Sequence, residues 1–334
     1  MPFFDSKPLL LRHKFLHLKV TEHIKQSKKT LISFEILPPL KGKDMNSIYK
    51  VLDPLMEFKP PFINVTYHRY DYVFKEIGPD LFQKVYTTKR PGTVGICAAI
   101  QFKYGVDAVP HIICGGFTKD QTEDALIDLA YLGVNNVLAL RGDPAKDEKS
   151  FKAEKNGHPY ALDLVRQVQN MNEGKYLANE LQNSFKTNFE IGIAGYPEKH
   201  NEAPNLDTDL KHLKAKVNAG AKYIVTQMFF DNQKYFQFVD NCKNNGINVP
   251  VIPGIKPITR KNQIKSIPRT FNVDIPIDLI KEIEKCKDDE AVRQVGAEWC
   301  VMQTKELIKK NAPCVHFYTM GKVGNMIEIV KKAL

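Results

Sequence analysis

Glu35 stands inside an apolar run, Leu31 to Ile36, where an ionised side chain would have to leave water. A carboxyl held there is raised in pKa by desolvation and becomes a candidate general acid, or it pairs with a lysine of the same interior. His111 sits in the same way within the run Val109 to Cys114. A neutral imidazole in such a place is either a satisfied core residue or a ligand contact. Arg141-Gly142-Asp143-Pro144 follows the run Val137 to Leu140. Gly, Asp and Pro are turn formers, so Asp143 either closes a turn or offers a carboxylate to a developing positive charge. Gly115-Gly116, just ahead of Thr118, makes a strand-to-helix turn that could also present backbone N–H groups to a phosphate.

Each of these residues lies in, or just after, a short apolar run bounded by Gly, Pro or polar clusters. There are eight such runs: Leu31 to Ile36, Phe62 to Thr66, Val109 to Cys114, Val137 to Leu140, Phe189 to Ala194, Tyr223 to Phe229, Val249 to Ile252 and Val315 to Tyr318. Their length and composition predict strands. Helical periodicity separates most of them. Thr118 and Gln121 form a capping box ahead of an apolar face of Ala125, Leu126, Leu129 and Leu132, and Gly133 ends that helix. A helix from Asp207 to Asp209 onward turns Leu210, Leu213 and Val217 inward and stops at Gly220. Tyr235, Phe236, Val239 and Cys242 repeat the pattern before Gly246.

Strands alternating with helices require parallel pairing with right-handed crossovers, and eight of them predict a closed (β/α)8 TIM barrel. In that fold chemistry sits at the C-terminal strand ends, where Glu35, Thr66, Asp143, Tyr196, Gln227 and Tyr318 fall. Residues 1 to 29 read as an N-terminal helical extension. His68 to Val106 is an insertion between strands 2 and 3, and a charged second insertion covers Asp147 to Gly157. No repeat or linker divides residues 1–334, which are read as one domain.

Lys and Arg exceed Asp and Glu by 48 to 38, a net charge of +10 that favours anionic partners. The basic residues are spread along the chain without zinc-finger spacing, basic-zipper heptads or an aromatic RNA-binding motif, so no nucleic-acid partner is expected. There is no G-x-G-x-x-G fingerprint and no phosphate-binding P-loop, so a nucleotide would bind in the barrel mouth. The six cysteines form no C-x-x-C or zinc-ligand spacing, so no metal is expected and the thiols are read as free. With no sustained apolar leader and no run of about 18 apolar residues, a cytoplasmic protein with no membrane partner is expected.

The strand-end residues also resemble a family. Ser33-Phe34-Glu35 with Pro38-Pro39, Val65-Thr66-Tyr67, Pro110-His111, Ala139-Leu140-Arg141-Gly142-Asp143, Tyr196-Pro197-Glu198, Thr226-Gln227-Met228-Phe229-Phe230, Ile252-Pro253-Gly254-Ile255 and His316-Phe317-Tyr318-Thr319 are similar, in order, to methylenetetrahydrofolate reductases across residues 30 to 322. The resemblance implies noncovalent FAD, reduced by NADH or NADPH with NADH favoured, and a folate, methylenetetrahydrofolate, that takes the place of the nicotinamide. It implies FAD contacts at Thr66, His111, Arg141, Gly142, Asp143, Tyr160, Ala161, Tyr196, His200, Asp209 and Lys216. Glu35, Gln227, Gln263, Tyr318 and Lys322 are expected near folate or nicotinamide, with Glu35 and Asp143 catalytic.

The implied form is bacterial-type, with the catalytic barrel only and a possible homo-oligomer. Departures from the family pattern are His212 and Ala215 where Asn and Arg are common, Ile267 in place of an aromatic clamp, and Lys322 for arginine. Two other readings stay open on the same residues: another FAD barrel resembling proline dehydrogenase, and a flavin- or folate-binding barrel without turnover.

Overall fold

The computed structural model describes residues 17–69, 71–87, 89–144, 148, 150–178, 184–321 and 323–334. In chain order its elements are α1 (Val20–Gln26), β1 (Leu31–Ile36), α2 (Asn46–Leu52) running into a 3-10 helix (Asp53–Phe58), β2 (Phe62–Val65), β3 (Asp71–Gly78), β4 (Leu81–Thr87), α3 (Thr93–Tyr104), β5 (Asp107–Ile113), α4 (Lys119–Tyr131) and β6 (Asn136–Leu140). There follow α5 (Ala161–Asn172), β7 (Glu190–Gly195), α6 (Leu206–Asn218), β8 (Tyr223–Thr226), α7 (Asn232–Asn244), β9 (Val251–Ile252), β10 (Gly254–Ile255), α8 (Gln263–Phe271), α9 (Ile277–Lys285), α10 (Asp289–Lys309), β11 (Cys314–Tyr318) and α11 (Gly324–Ala333).

The main sheet runs β10-β11-β1-β2-β5-β6-β7-β8-β9, and its neighbouring strands pair in parallel. Its two ends, β9 and β10, are separated by Pro253 alone, so the ring closes through one residue. Proline has no N–H for the ladder. Its carbonyl still accepts from His316 N at 2.9 Å. The eight expected strands are therefore all present as a (β/α)8 barrel, with the seventh broken at Pro253. The expected strand Tyr223 to Phe229 ends at Thr226, beyond which Gln227 N still donates to Gly195 O at 2.8 Å.

Strand alternation sorts the side chains. Ile32, Phe34 and Ile36 of β1 pack outward into the large core under the helices, while Ser33 bonds to His316 in the interior. Phe62, Val109, Leu138, Tyr223, Val225, Ile252 and Cys314 fill the interior together with Val20 of α1. That helix closes the N-terminal end. Asp107, at the start of β5, receives His17 Nδ1 at 2.9 Å and His23 Nε2 at 2.6 Å. Val20 N donates to Asn136 Oδ1, and Thr21 N donates to Glu190 Oε2. With that rim stoppered, only the C-terminal rim is left for chemistry.

The capping box of α4 forms as expected, Gln121 N donating to Thr118 Oγ1 and Thr118 N to Gln121 Oε1. Leu126 and Leu129 are buried beneath it, but Leu132 is the C-cap residue and 45% exposed. The insertion after β2 resolves into two parts. The antiparallel hairpin β3–β4 is the addition, while α3 is the crossover that any parallel β2–β5 pair needs. Among the described residues no helix is long and apolar enough to cross a membrane.

Candidate active site

Glu35 lies opposite Tyr318 of β11 and Asn64 of β2 in the strand registers. Its Oε2 is 3.5 Å from His111 Nε2 on β5, with side-chain exposures of 13% and 7%. Asn64 Nδ2 reaches the same imidazole nitrogen at 3.4 Å. Burial pushes the Glu35 carboxyl up to about 8, against the pull of the Lys256 charge. Burial, assisted by His68, pushes His111 down to about 3. At neutral pH the contact therefore joins a neutral acid to a neutral imidazole. Among the described residues, the ionisable group within 4 Å of the Glu35 carboxylate oxygens is this histidine.

Below that pair, Ser33 Oγ contacts His316 Nδ1 at 2.8 Å and Cys314 Sγ at 3.2 Å. His316 Nε2 is buried without a hydrogen-bond partner, and burial pushes its ring down to about 3. Tyr318 donates its hydroxyl to Thr226 O at 2.5 Å. This contact needs Gly254, because a Cβ there would collide with both Thr226 O and the Tyr318 hydroxyl.

A second group faces the mouth from β6, β7 and α6. Arg141 binds Glu202 through both terminal nitrogens, at 2.6 and 2.8 Å, and its guanidinium carbon lies 5.0 Å from the Phe151 ring centroid. Gly142 has φ +85, a left-handed conformation that a side chain would strain. The Asp143 charge acts on His68 and Tyr196. Tyr196 packs edge-on against His200, with centroids 4.6 Å apart, and His200 N donates to Asp209 Oδ2 at 2.9 Å. Lys216 donates to Ala194 O at 3.3 Å. Burial brings that ammonium down to about 8, with Asp209 opposing. Asp209 and Lys216, seven residues apart on α6, thus share a recess with Tyr196.

The remaining candidates are less convergent. Thr66 Oγ1 is buried and unpartnered. Ala161 opens α5, with Tyr160 as N-cap and 63% exposed. Gln227 Oε1 accepts from Met228 N. Gln263 Oε1 is held by Thr259 N at 2.7 Å and Arg260 N at 3.0 Å. Ile267 is buried among Met228, Phe230 and Leu279. Lys322 lies outside the described residues.

Sequence reading gave no role to Lys256, Arg69 or Glu198. Arg69 sits beside Gly115 and is 3.6 Å from Glu148 and 3.8 Å from Glu154 of the second insertion. Burial pushes Glu198 up to about 7, and its Oε1 is buried and unpartnered. Lys256 had a signal, two residues beyond Gly254 on the same strand face, but the sequence does not reveal what it faces. A separate groove of about 460 Å³ between α4 and α5, lined by Lys119, His158, Asp163 and Arg166, holds none of the strand-end residues.

A family model described as methylenetetrahydrofolate reductase matches residues 19–334. The chain belongs to the methylenetetrahydrofolate reductase family. A probable methylenetetrahydrofolate reductase (NADPH) of Caenorhabditis elegans is 31% identical over 96% of this chain and 44% of its own length. Methylenetetrahydrofolate reductase 1 of Schizosaccharomyces pombe is 32% identical over 90% of this chain and 45% of its own. The chain spans about half the length of these relatives. The 5,10-methylenetetrahydrofolate reductase of Escherichia coli is 31% identical over 92% of this chain and 94% of its own. Among solved structures, an uncharacterized Clostridium thermocellum protein that binds two copies of 5-methyl-5,6,7,8-tetrahydrofolic acid superposes with TM-score 0.52 at 14% identity, covering 94% of this chain and 97% of its own, which supports the barrel fold.

Proposed function

We propose that this member of the methylenetetrahydrofolate reductase family reduces 5,10-methylenetetrahydrofolate to 5-methyltetrahydrofolate with NADH or NADPH, through noncovalent FAD and in ping-pong order. We read residues 1–334 as one catalytic domain working in the cytoplasm. The observation that carries the reading is the Glu35 carboxyl buried at the C-terminal mouth of the barrel, 3.5 Å from His111 Nε2, where burial raises the acid and lowers the imidazole.

The residues present fit FAD. Lys216 brings a buried cation to the recess beside Tyr196 and Asp209, and Arg141 brings a second cation to the same rim. Thr66 Oγ1 is a buried hydroxyl in need of a partner. Lys216 and Arg141 would hold the pyrophosphate, with Thr66, His111, Gly142, Tyr196, His200 and Asp209 around the rest. When bound, FAD supplies hydride transfer between the nicotinamide nucleotide and the folate.

The protein's part is proton control and charge placement. Opening the folate's five-membered ring breaks a C–N bond, with the electron pair leaving on nitrogen. A proton delivered by Glu35 to that nitrogen makes it a leaving group. The iminium carbon left on the folate is cationic, and the Asp143 carboxylate at the same mouth favours it. In this reading Gln227, Gln263 and Tyr318 orient the pterin, and the positive chain favours encounter with an anionic folate.

The test is anaerobic stopped-flow on the purified protein. A yellow protein bleached by NADH or NADPH and recoloured by methylenetetrahydrofolate supports the reading. A protein that neither retains nor takes up FAD ends it.

A further inference from the structure

Lys256 directly follows β10. The β10–β11 register sets Gly254 opposite His316 and Ile255 opposite Phe317, so its next step brings Lys256 level with Tyr318. Tyr318 is in turn the register partner of Glu35. Ile255 packs outward into the helix-covered core, and Gly254 faces the Tyr318 hydroxyl within the barrel. By strand alternation Lys256 turns to the same inner side as Gly254. Lys256, Tyr318 and Glu35 thus form one row around the mouth.

We propose that Lys256 is the electrostatic partner of Glu35, an ammonium on the inner rim that stabilises the carboxylate formed when Glu35 gives up its proton. This rests on the functional reading above. In the step concerned the Glu35 O–H bond breaks and an N–H bond forms on the departing folate nitrogen. Lys256 stays protonated and makes no bond.

The neighbours of Glu35 leave this task to Lys256. His111 on β5 is held neutral by burial, as is His316 beneath it. The phenol of Tyr318 on β11 is pushed far above its ordinary value. Asn64 on β2 carries no charge. Among the described residues, the charge that lowers the Glu35 pKa is that of Lys256, and Glu35 reciprocally supports the protonation of Lys256 against burial. A buried acid with no such counter-charge would hold its proton too tightly to deliver it.

The experiment compares Lys256→Met and Lys256→Arg with wild type in separate half-reactions across pH. For Lys256→Met, the folate half-reaction should slow by about tenfold and its titration midpoint should rise by about one pH unit. The KM for folate and the rate of reduction by NADH should stay near wild type, and Lys256→Arg should restore the midpoint. Isotope-edited infrared titration of the Glu35 carboxyl in the oxidised protein, without substrate, should show the same upward move. A raised folate KM with an unmoved midpoint would make Lys256 a substrate-binding cation and overturn the proposal. So would an equal fall in both half-reactions with the infrared midpoint unchanged. A wild type that never reduces methylenetetrahydrofolate is a different outcome, since it removes the functional reading itself while the infrared titration still reports on the Glu35–Lys256 pair.

Discussion

Glu35 Oε2 and His111 Nε2 face each other across 3.5 Å at the barrel mouth, and Asn64 Nδ2 approaches the same nitrogen at 3.4 Å. An amide nitrogen can only donate, so His111 Nε2 is the acceptor and its ring proton sits on Nδ1. Burial, which raises the Glu35 carboxyl, keeps its proton on the side that faces this nitrogen. With the acid pushed up to about 8 and the imidazole down to about 3, the proton rests mainly on Glu35 at neutral pH.

Glu35→Gln keeps the shape and removes the proton. Reduction of bound FAD by NADH should survive, while reoxidation by methylenetetrahydrofolate should fall by roughly 10² to 10⁴, the range for loss of a general acid. Rapid-mixing measurement of the two half-reactions decides it. Equal losses in both would make Glu35 a structural residue.

The same substitution should stabilise the fold. A carboxyl whose folded pKa is raised from 4.5 to about 8 contributes stability that is fully present below pH 4.5 and lost as pH rises through 8. Glutamine does not titrate. The Glu35→Gln advantage should therefore open between pH 4.5 and 8 and level off above, on the order of a few kcal/mol. Urea unfolding at pH 5, 7 and 9 measures it, and a constant gap would contradict the assigned burial.

Asp143→Asn removes a charge that acts on His68 and Tyr196 while nearly keeping the shape. The FAD midpoint potential should rise, FAD should stay bound, and the folate half-reaction should slow more than reduction by NADH. If Asp143 serves only the turn before Pro144, redox titration will find the potential unmoved and the half-reaction ratio unchanged.

Arg141 is held bidentately by Glu202. A cofactor phosphate reaching that guanidinium must compete with the carboxylate. Glu202→Gln should tighten FAD binding several-fold, by roughly 1 kcal/mol for a partly exposed pair, and Arg141→Gln should weaken it. Fluorescence titration of apoprotein with FAD gives both constants. Weaker binding in Glu202→Gln would show that Glu202 instead braces Arg141 for the cofactor.

The barrel was legible because its information is local. Eight apolar runs of strand length, the Thr118–Gln121 capping box and glycines closing helices each act within a few residues, so the alternation of strands and helices, and hence the rim carrying Glu35 and Asp143, follows from the chain alone. Ser33 and Glu35 inward with Phe34 outward is likewise a consequence of the two-residue period of a strand. What required tertiary structure is whatever depends on residues far apart in sequence.

At Glu35, where acid and lysine ion pair were both open, the contact with His111 from another strand and the burial that a closed ring imposes on both come only from the tertiary structure. Pro253 breaks the seventh strand, yet only pairing on both of its sides shows that the ring still closes. The resemblance puts Gln263 near a ligand and marks Ile267 as a departure from an aromatic clamp, but that Gln263 Oε1 accepts from Thr259 N and Arg260 N and that Ile267 packs with Met228 and Phe230 comes from the placement of helix α8, which long-range packing fixes. Lys256 carried no motif of its own. Its place in one row with Tyr318 and Glu35 comes from β10 and β1 flanking the same strand, a relation in space that separation along the chain does not encode.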